Sequence, residues 1–479
     1  MSVEAPGGDA RTAEAPAAAD APLKGKVYRS AVWTVVGYGG GSVLRIISSM
    51  ILTRLLMPEA VGIMGLVNTI TRGFELFTDV GVGYSIVRQK GGTDPRFLNT
   101  AWTLQVIRGP MLWAAIAAAA WPLQAFYGRE GLALLLVGAG FEVALSGLNS
   151  TLLLVFRRNL ELHRTVQLQL AAQTVNVVAT VLLGFWLRSV WAYVFASWIT
   201  TGYNVAVSHY LNRATPNRLC WDRDAARQMI RVGPWILVST LLTFLSTQLD
   251  RLMLGRLLPL PVFGTYMIAS SIVEIPRTLL VRLVNTVLFP ALCRRVDLPR
   301  AELRARLLRN RRPALLAMAA GLGALAGGGD LIIRTLYDPR YHAAAWIFPI
   351  LVLGLWPRAV SLTVDSALLA LGRLQYGPLG SLARLAAIGL GVPLAARHFG
   401  LAGVVVFIAT NEIYNLLPGL YGRRRHGLDT TVQDLYATAA LLAVLGLVIA
   451  ARVALGLGTP FDQIPWGQPP LVAGGGGRP

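Results

Sequence analysis

The chain has 479 residues, 54% of them hydrophobic and only 14% charged, with a mean hydropathy of +0.55. A soluble domain carries about 25% charged residues, and apolar runs of 18 or more recur here along most of the length, so a soluble globular protein is excluded in favour of a polytopic helical membrane protein. The formal net charge of +20 would suggest nucleic acid in a soluble chain, but here it reports basic loops on one side of a membrane.

The first 25 residues are rich in Ala, Pro and Gly and read as a disordered tail. The apolar run begins only near Ala31 and no short h-region with a cleavage site precedes it, so no cleaved signal peptide is predicted. Hydropathy then predicts thirteen spans, at about 29–56, 62–87, 97–121, 131–156, 165–187, 190–211, 232–257, 262–290, 313–336, 343–370, 377–397, 400–421 and 433–456. The Gly327–Gly328–Gly329–Asp330 run interrupts the ninth. The tail at 458–479 is too polar for another span. This divides the chain into a tail (1–25), a six-helix bundle (26–216), a second six-helix bundle (217–428), an additional helix (429–457) and a flexible end (458–479).

With the N-terminus in the cytoplasm, the tail and even-numbered connections hold 27 of the 44 basic residues, including the segment 293–312; the opposite face holds 8. That asymmetry sets the orientation and predicts a multi-pass protein of the bacterial inner membrane. Cys220 and Cys293 both fall on the cytoplasmic side, so no disulfide is expected. No connection exceeds about 25 residues, which leaves no room for a soluble catalytic domain.

RLLMPEAVG at 54–62 and RLLPLPVFG at 256–264 share the pattern R-L-L-x5-G, each at the turn of a helical hairpin. Two parallel repeats of six helices follow. In that register Arg72 and Glu75 align with Glu274 and Arg277, a pair at i and i+3 with its signs exchanged; Asp79 continues the first face.

The stretch Gly233–Cys293 carries Asp250, Arg251, Glu274, Arg277 and Arg282 inside two apolar runs. A charge at the centre of a lipid-facing helix costs about 2.5–3.5 kcal/mol, so these groups face protein or water. Across the chain Arg45, Arg72, Arg108, Arg277, Arg282, Arg358 and Arg384 lie near mid-span, against Glu75, Asp79, Glu142, Asp250, Glu274, Asp365 and Glu412. Guanidinium binds phosphate as a planar fork, so the seven arginines are candidate contacts for an anionic substrate such as a pyrophosphate-linked lipid. Each could equally be a structural partner. Glu75, Asp79, Asp250, Glu274 and Asp365 are candidates for pairing or for carrying a coupling proton or sodium ion. Arg452 lies close enough to its helix end to snorkel. The G-x3-G spacings Gly37–Gly41 and Gly323–Gly327 read as close helix packing. The sequence holds no G-x4-GK[ST] loop, no G-x-S-x-G and no HExxH, and its five histidines are scattered; no ATPase, catalytic residue or metal site is expected.

The segments ILTRLLMPEAVGIMGL, FTDVGVGYSIVRQK, DPRFLNTAWTL, FRRNLELHR, QLDRLMLGRLLPLPVFGTYMIA and LYDPRYHAAAWIFPIL resemble the polysaccharide (lipid-linked oligosaccharide) flippases of the multidrug/oligosaccharidyl-lipid/polysaccharide exporter superfamily. The resemblance covers about residues 26–430. It implies an all-α, V-shaped exporter-type fold of two six-helix bundles. It also implies ion-gradient-driven flipping of an undecaprenyl-pyrophosphate-linked glycan by alternating access, in O-antigen or exopolysaccharide production, alongside polymerase and export machinery and with no enzymatic activity. A thirteenth span departs from the usual twelve or fourteen. The alternatives are a multidrug exporter of the same fold, whose cationic substrates call for acids, and a membrane glycosyltransferase or polymerase acting on lipid-linked sugars.

Overall fold

A computed structural model describes residues 21–77, 86, 94–159, 161–213, 215–285, 292, 298–373 and 375–465. Every long element in it is an α-helix: α1 Ala21–Leu55, α2 Pro58–Phe77, α3 Pro95–Tyr127, α4 Leu132–Ser146, α5 Leu152–Arg158, α6 Leu162–Leu187, α7 Trp191–Leu211, α8 Arg223–Leu257, α9 Leu260–Leu283, α10 Arg300–Leu336, α11 Ala344–Ala370, α12 Tyr376–Arg425 and α13 Thr431–Ala454. The chain is an all-α membrane protein.

The predicted spans map onto these helices with two main differences. The span at 131–156 breaks at 147–151, where Gly147 comes so close to α3 that a methyl group would lie 2.6 Å from the Gln105 carbonyl oxygen. The span at 313–336 starts thirteen residues earlier, since the basic segment ahead of Pro313 is itself helical. The two spans at 377–397 and 400–421 are two helical segments, numbered together as α12, that meet at a break at Gly400, whose non-helical backbone (φ 59°, ψ −152°) only glycine adopts without strain. Among the described residues six helices are long and apolar enough to cross a membrane on composition alone: α3, α6, α10, α11, α12 and α13. Helices such as α8 and α9 fail that test because they carry charges within the apolar run.

The ends are fixed locally. Asp94 caps α3 through the Arg96 amide (3.1 Å) ahead of a first-turn proline, and Asp222 caps α8 through the amides of Asp224 and Ala225. Glycines decide where backbones approach. A methyl on Gly37 would lie 2.4 Å from Val166, seating α1 on α6, and one on Gly327 would lie 2.7 Å from Val448, seating α10 on α13. Both G-x3-G spacings therefore lie at close helix contacts.

The N-terminal half is built from α1 on α6, α6 on α7, and α3 on α4; the C-terminal half from α10, α11 and α12 side by side, with α13 docked chiefly on α10. The two halves meet through α2, which packs on both α8 and α9. At the low-charge end the halves are also joined by side chains. Arg129 Nη2 donates to the Leu258 carbonyl (2.6 Å) and Arg256 lies 4.1 Å over the Phe126 ring. Arg340 Nη2 donates to the carbonyls of Thr53 (3.3 Å) and Arg54 (3.2 Å), and Tyr341 Oη to that of Leu56 (3.0 Å).

Arg452 does not snorkel. It is buried and donates to Asp330, also buried, with Nη2 at 2.9 Å from Oδ2. The expectation failed because α13 packs along α10, which covers the helix end that would otherwise reach water.

Candidate functional site

Buried charge collects in the C-terminal half where α8, α9, α11 and α12 converge. Gly354 of α11 lies so close to α12 that a methyl there would fall 2.5 Å from the Ala409 carbonyl, and this contact carries Asn411 and Glu412 inward. Glu412 is the hub: Arg384 Nη1 is 2.8 Å from its Oε1, and Arg277 Nη1 is 4.0 Å away. Arg277 also pairs with Glu274, one turn back, at 3.7 Å. Asp250 accepts a 2.5 Å hydrogen bond from Tyr266. A bare guanidinium buried here would cost several kcal/mol, and shared carboxylates offset that cost.

These groups surround a cavity of about 40 Å³, lined among others by Asp250, Arg251, Glu274, Arg277, Arg384 and Glu412. Three acids face three arginines, so the pocket is balanced rather than cationic. Asp250 Oδ1 and Asn411 Oδ1 are buried in its wall with no hydrogen-bond partner among the described residues. The space suits a water molecule or two. Arg358 and Asp365 lie two turns apart on one face of α11, both half-buried, with Asp365 against Gly419 of α12.

The N-terminal half has its own cavity, of about 320 Å³, lined by Glu75, Gln105, Arg108 and Ser146 over Leu112 and Val143. Arg108 Nη2 donates to the Glu75 carbonyl at 2.5 Å, and Glu142 accepts from Thr201 at 3.2 Å. Arg282 belongs to neither cavity. It lies at the seam, 4.3 Å over the ring of Tyr38 of α1, whose hydroxyl donates to the Ile275 carbonyl of α9 (2.7 Å). Arg45 and Arg72 are both exposed, Arg45 within α1 and Arg72 in the C-terminal part of α2. No ion pair joins Arg72 to Glu75 among the described residues, in contrast to the aligned Glu274–Arg277. Asp79 lies outside the described residues.

Of the seven arginines, Arg277 and Arg384 line one cavity and Arg108 the other, Arg282 lies at the seam, Arg45 and Arg72 are exposed, and Arg358 lies half-buried on α11 outside both cavities. Sequence reasoning placed Glu412 within a span but gave it no role, and it missed Tyr266 and Asn411. The signal for Glu412 was its place beside Asn411 in the middle of an apolar run. A second buried cluster was missed entirely: Arg311 and Arg423, both fully buried, share Asp434 at 2.6 Å each. Arg311 and Arg423 were counted as loop charges because helix α10 and helix α12 run further than hydropathy showed.

The fold and its charged interior define a multispanning protein of transporter architecture. The inward-closed structure of the lipid II flippase MurJ superposes with a TM-score of 0.63 at 10% identity, covering 88% of this chain and 99% of that one. An inward-facing multidrug resistance MATE family transporter of the MOP superfamily gives 0.59 at 14% identity, covering 81% and 94%. The family model described as "Polysaccharide biosynthesis protein" matches residues 51–344, and the chain belongs to that family. Its relatives include the teichuronic acid biosynthesis protein TuaB of Bacillus subtilis (strain 168), 20% identical over 72% of this chain and 71% of that protein. The lipopolysaccharide biosynthesis protein WzxC of Escherichia coli (strain K12) is 22% identical over 72% and 69%.

Proposed function

We propose that the protein flips a polyprenyl-pyrophosphate-linked glycan across the bacterial inner membrane, with its N-terminus in the cytoplasm. The observation that carries this reading is the position of Arg45 and Arg72. Both are exposed, on α1 and α2, and lie near the middle of their predicted spans, while Arg282 lies at the α1–α9 seam over Tyr38 of α1. Hydrocarbon does not tolerate a guanidinium at that depth, so the space they face is wet and cationic. A pyrophosphate would find forked donors there. Arg108, Arg277 and Arg384 sit in the cavity walls, held by a backbone oxygen or carboxylates that a phosphate could replace, and Arg358 is a further candidate contact on α11. Membership of a polysaccharide biosynthesis family and likeness in fold to a lipid II flippase support the same cargo class.

In this reading the contacts of Arg129, Arg340 and Tyr341 close the periplasmic end, and cargo enters from the cytoplasmic leaflet. Asp250, Glu274 and Asp365, with Glu75 and Asp79 in the other half, carry the coupling proton or sodium ion. No catalytic step is required of the chain; polymerase and export machinery act on the flipped product.

Transport of a labelled lipid-pyrophosphate sugar in proteoliposomes tests this. Arg45→Ala and Arg282→Ala are each expected to cut flipping at least tenfold with normal protein recovery. Undiminished flipping in both would overturn the assignment. The three carboxylates of the C-terminal pocket favour, as the second reading, export of organic cations on the same fold; efflux of a cationic dye without flipping of the lipid would establish it instead.

A further inference from the structure

Away from both cavities, helices α10 and α13 enclose a groove of about 750 Å³ at the basic end of the bundle. It is held open by two hydrogen bonds. Gln433 Nε2 of α13 donates to the Leu308 carbonyl of α10 (2.7 Å), and Arg304 Nε donates to the Asp429 carbonyl (2.7 Å). The groove is therefore a built feature, independent of the junction between the halves.

Its rim is basic. Arg304, Arg309 and Arg312 line it and are exposed. The acid on the rim, Asp429, is already engaged by the amide (3.1 Å) and hydroxyl (2.5 Å) of Thr431. Behind the wall, Asp434 serves both Arg311 and Arg423, so five arginines stand against two aspartates. The rest of the groove is apolar and open to the outside: Leu316 is 41% exposed, Val432 66% and Tyr436 74%. In sequence, Arg309 and Arg312 lie within the turn before Pro313, where the apolar part of α10 begins. The arginines thus stand at headgroup depth and the apolar wall at the depth of the acyl chains, with a tyrosine at the boundary.

We propose that this groove binds an anionic glycerophospholipid of the adjoining leaflet, its phosphate on Arg309 and Arg312 and an acyl chain along Leu316 and Tyr436. Basic pockets between transmembrane helices recognise acidic headgroups in this way. A free phosphate would leave the apolar wall uncovered. The lipid-linked cargo of the central seam is separated from the groove, because α13 packs chiefly on α10.

The purified full chain is titrated with phosphatidylglycerol, phosphatidylethanolamine or inorganic phosphate while its thermal unfolding is followed. Phosphatidylglycerol is expected to raise the unfolding temperature by several degrees, and the other two to leave it unchanged. With about 1 kcal/mol per arginine at a membrane surface, R309Q/R312Q should weaken phosphatidylglycerol binding about 30-fold. Arg164→Gln, a basic residue paired with Glu161 elsewhere on the surface, should not. A photoactivatable phosphatidylglycerol is expected to crosslink to peptides containing Leu316 or Tyr436 of the unaltered chain, a readout that stands even if the double variant does not fold. Equal response to the zwitterionic lipid, full binding by R309Q/R312Q, crosslinks confined to other helices, or displacement by inorganic phosphate or polyprenyl pyrophosphate at equal concentration would each overturn the proposal.

Discussion

Gly62 and Gly264 meet backbone to backbone at the junction of the two halves. A methyl on Gly264 would lie 1.9 Å from the Pro58 carbonyl oxygen, and one on Gly62 2.6 Å from that of Leu260. They are the final glycines of the two R-L-L-x5-G turns, so the same position of each hairpin makes the contact between α2 and α9. Backbone cannot yield as a side chain can. Gly264→Ala should therefore cost about 1–3 kcal/mol through overpacking, more than Gly62→Ala, and lower the unfolding temperature in detergent. Replacing Gly321, which faces open space, should leave it within a degree; equal effects at Gly264 and Gly321 would refute the argument.

Glu412 holds Arg384 at 2.8 Å and draws on Arg277 at 4.0 Å, in a pocket where both members of the closer pair are buried. Removing the carboxylate leaves two guanidiniums facing each other without their shared anion. Glu412→Gln should destabilise the protein by about 3–5 kcal/mol, the cost of breaking a buried pair. Glu412→Gln combined with Arg384→Met should recover most of it, since the uncompensated charge is gone. Chemical denaturation of these two variants and of Arg384→Met alone measures the coupling; additive losses would show that the two residues do not act as a pair.

How much of this was legible in the sequence depends on the physics of each feature. Hydropathy located the helices, because that signal is local. The R-L-L-x5-G match pointed to the glycines that join α2 to α9. Pairings across helices were not legible. Arg452 and Asp330 lie 122 positions apart, and nothing local in either span announces the other. Arg311 and Arg423 read as ordinary loop charges because neighbouring basic residues mask them. Asp250 and Arg251 are adjacent on a helix and so point in different directions, which says that each needs a partner elsewhere but not which one; for Asp250 it is Tyr266.

The Asp330–Arg452 pair docks the last helix on α10, beside Gly323 and Gly327. Breaking it should loosen α13 without disturbing the rest of the bundle. Arg452→Leu leaves the Asp330 carboxylate buried and should cost about 3–5 kcal/mol, whereas Asp330→Leu with Arg452→Met should be near neutral. Limited proteolysis in the 426–430 connection reports the undocking. Cleavage there should rise in the single variant and return to its original rate in the double.

The low-charge end offers the last test. Arg340 is oriented by its own neighbour, with Nε 2.8 Å from Asp338 Oδ1, and the same guanidinium reaches the last carbonyls of α1. Tyr337 and Ser49 add a 2.7 Å hydroxyl contact between the same two regions. The end of α1 has exposed carbonyl groups that no helical amide can satisfy, and Arg340 supplies donors for two of them. If these contacts hold that end shut, Arg340→Ala with Tyr341→Phe removes both the guanidinium and the Tyr341 hydroxyl bond to Leu56. A cysteine placed at Ser48, buried beneath the contact, should then react with a membrane-impermeant thiol reagent several times faster than in the otherwise unaltered protein. The exposed loop at Arg188 should show no change. An unaltered rate at position 48 would mean that the end is closed by helix packing, with Gly62 against Gly264, and that Arg340 merely caps α1.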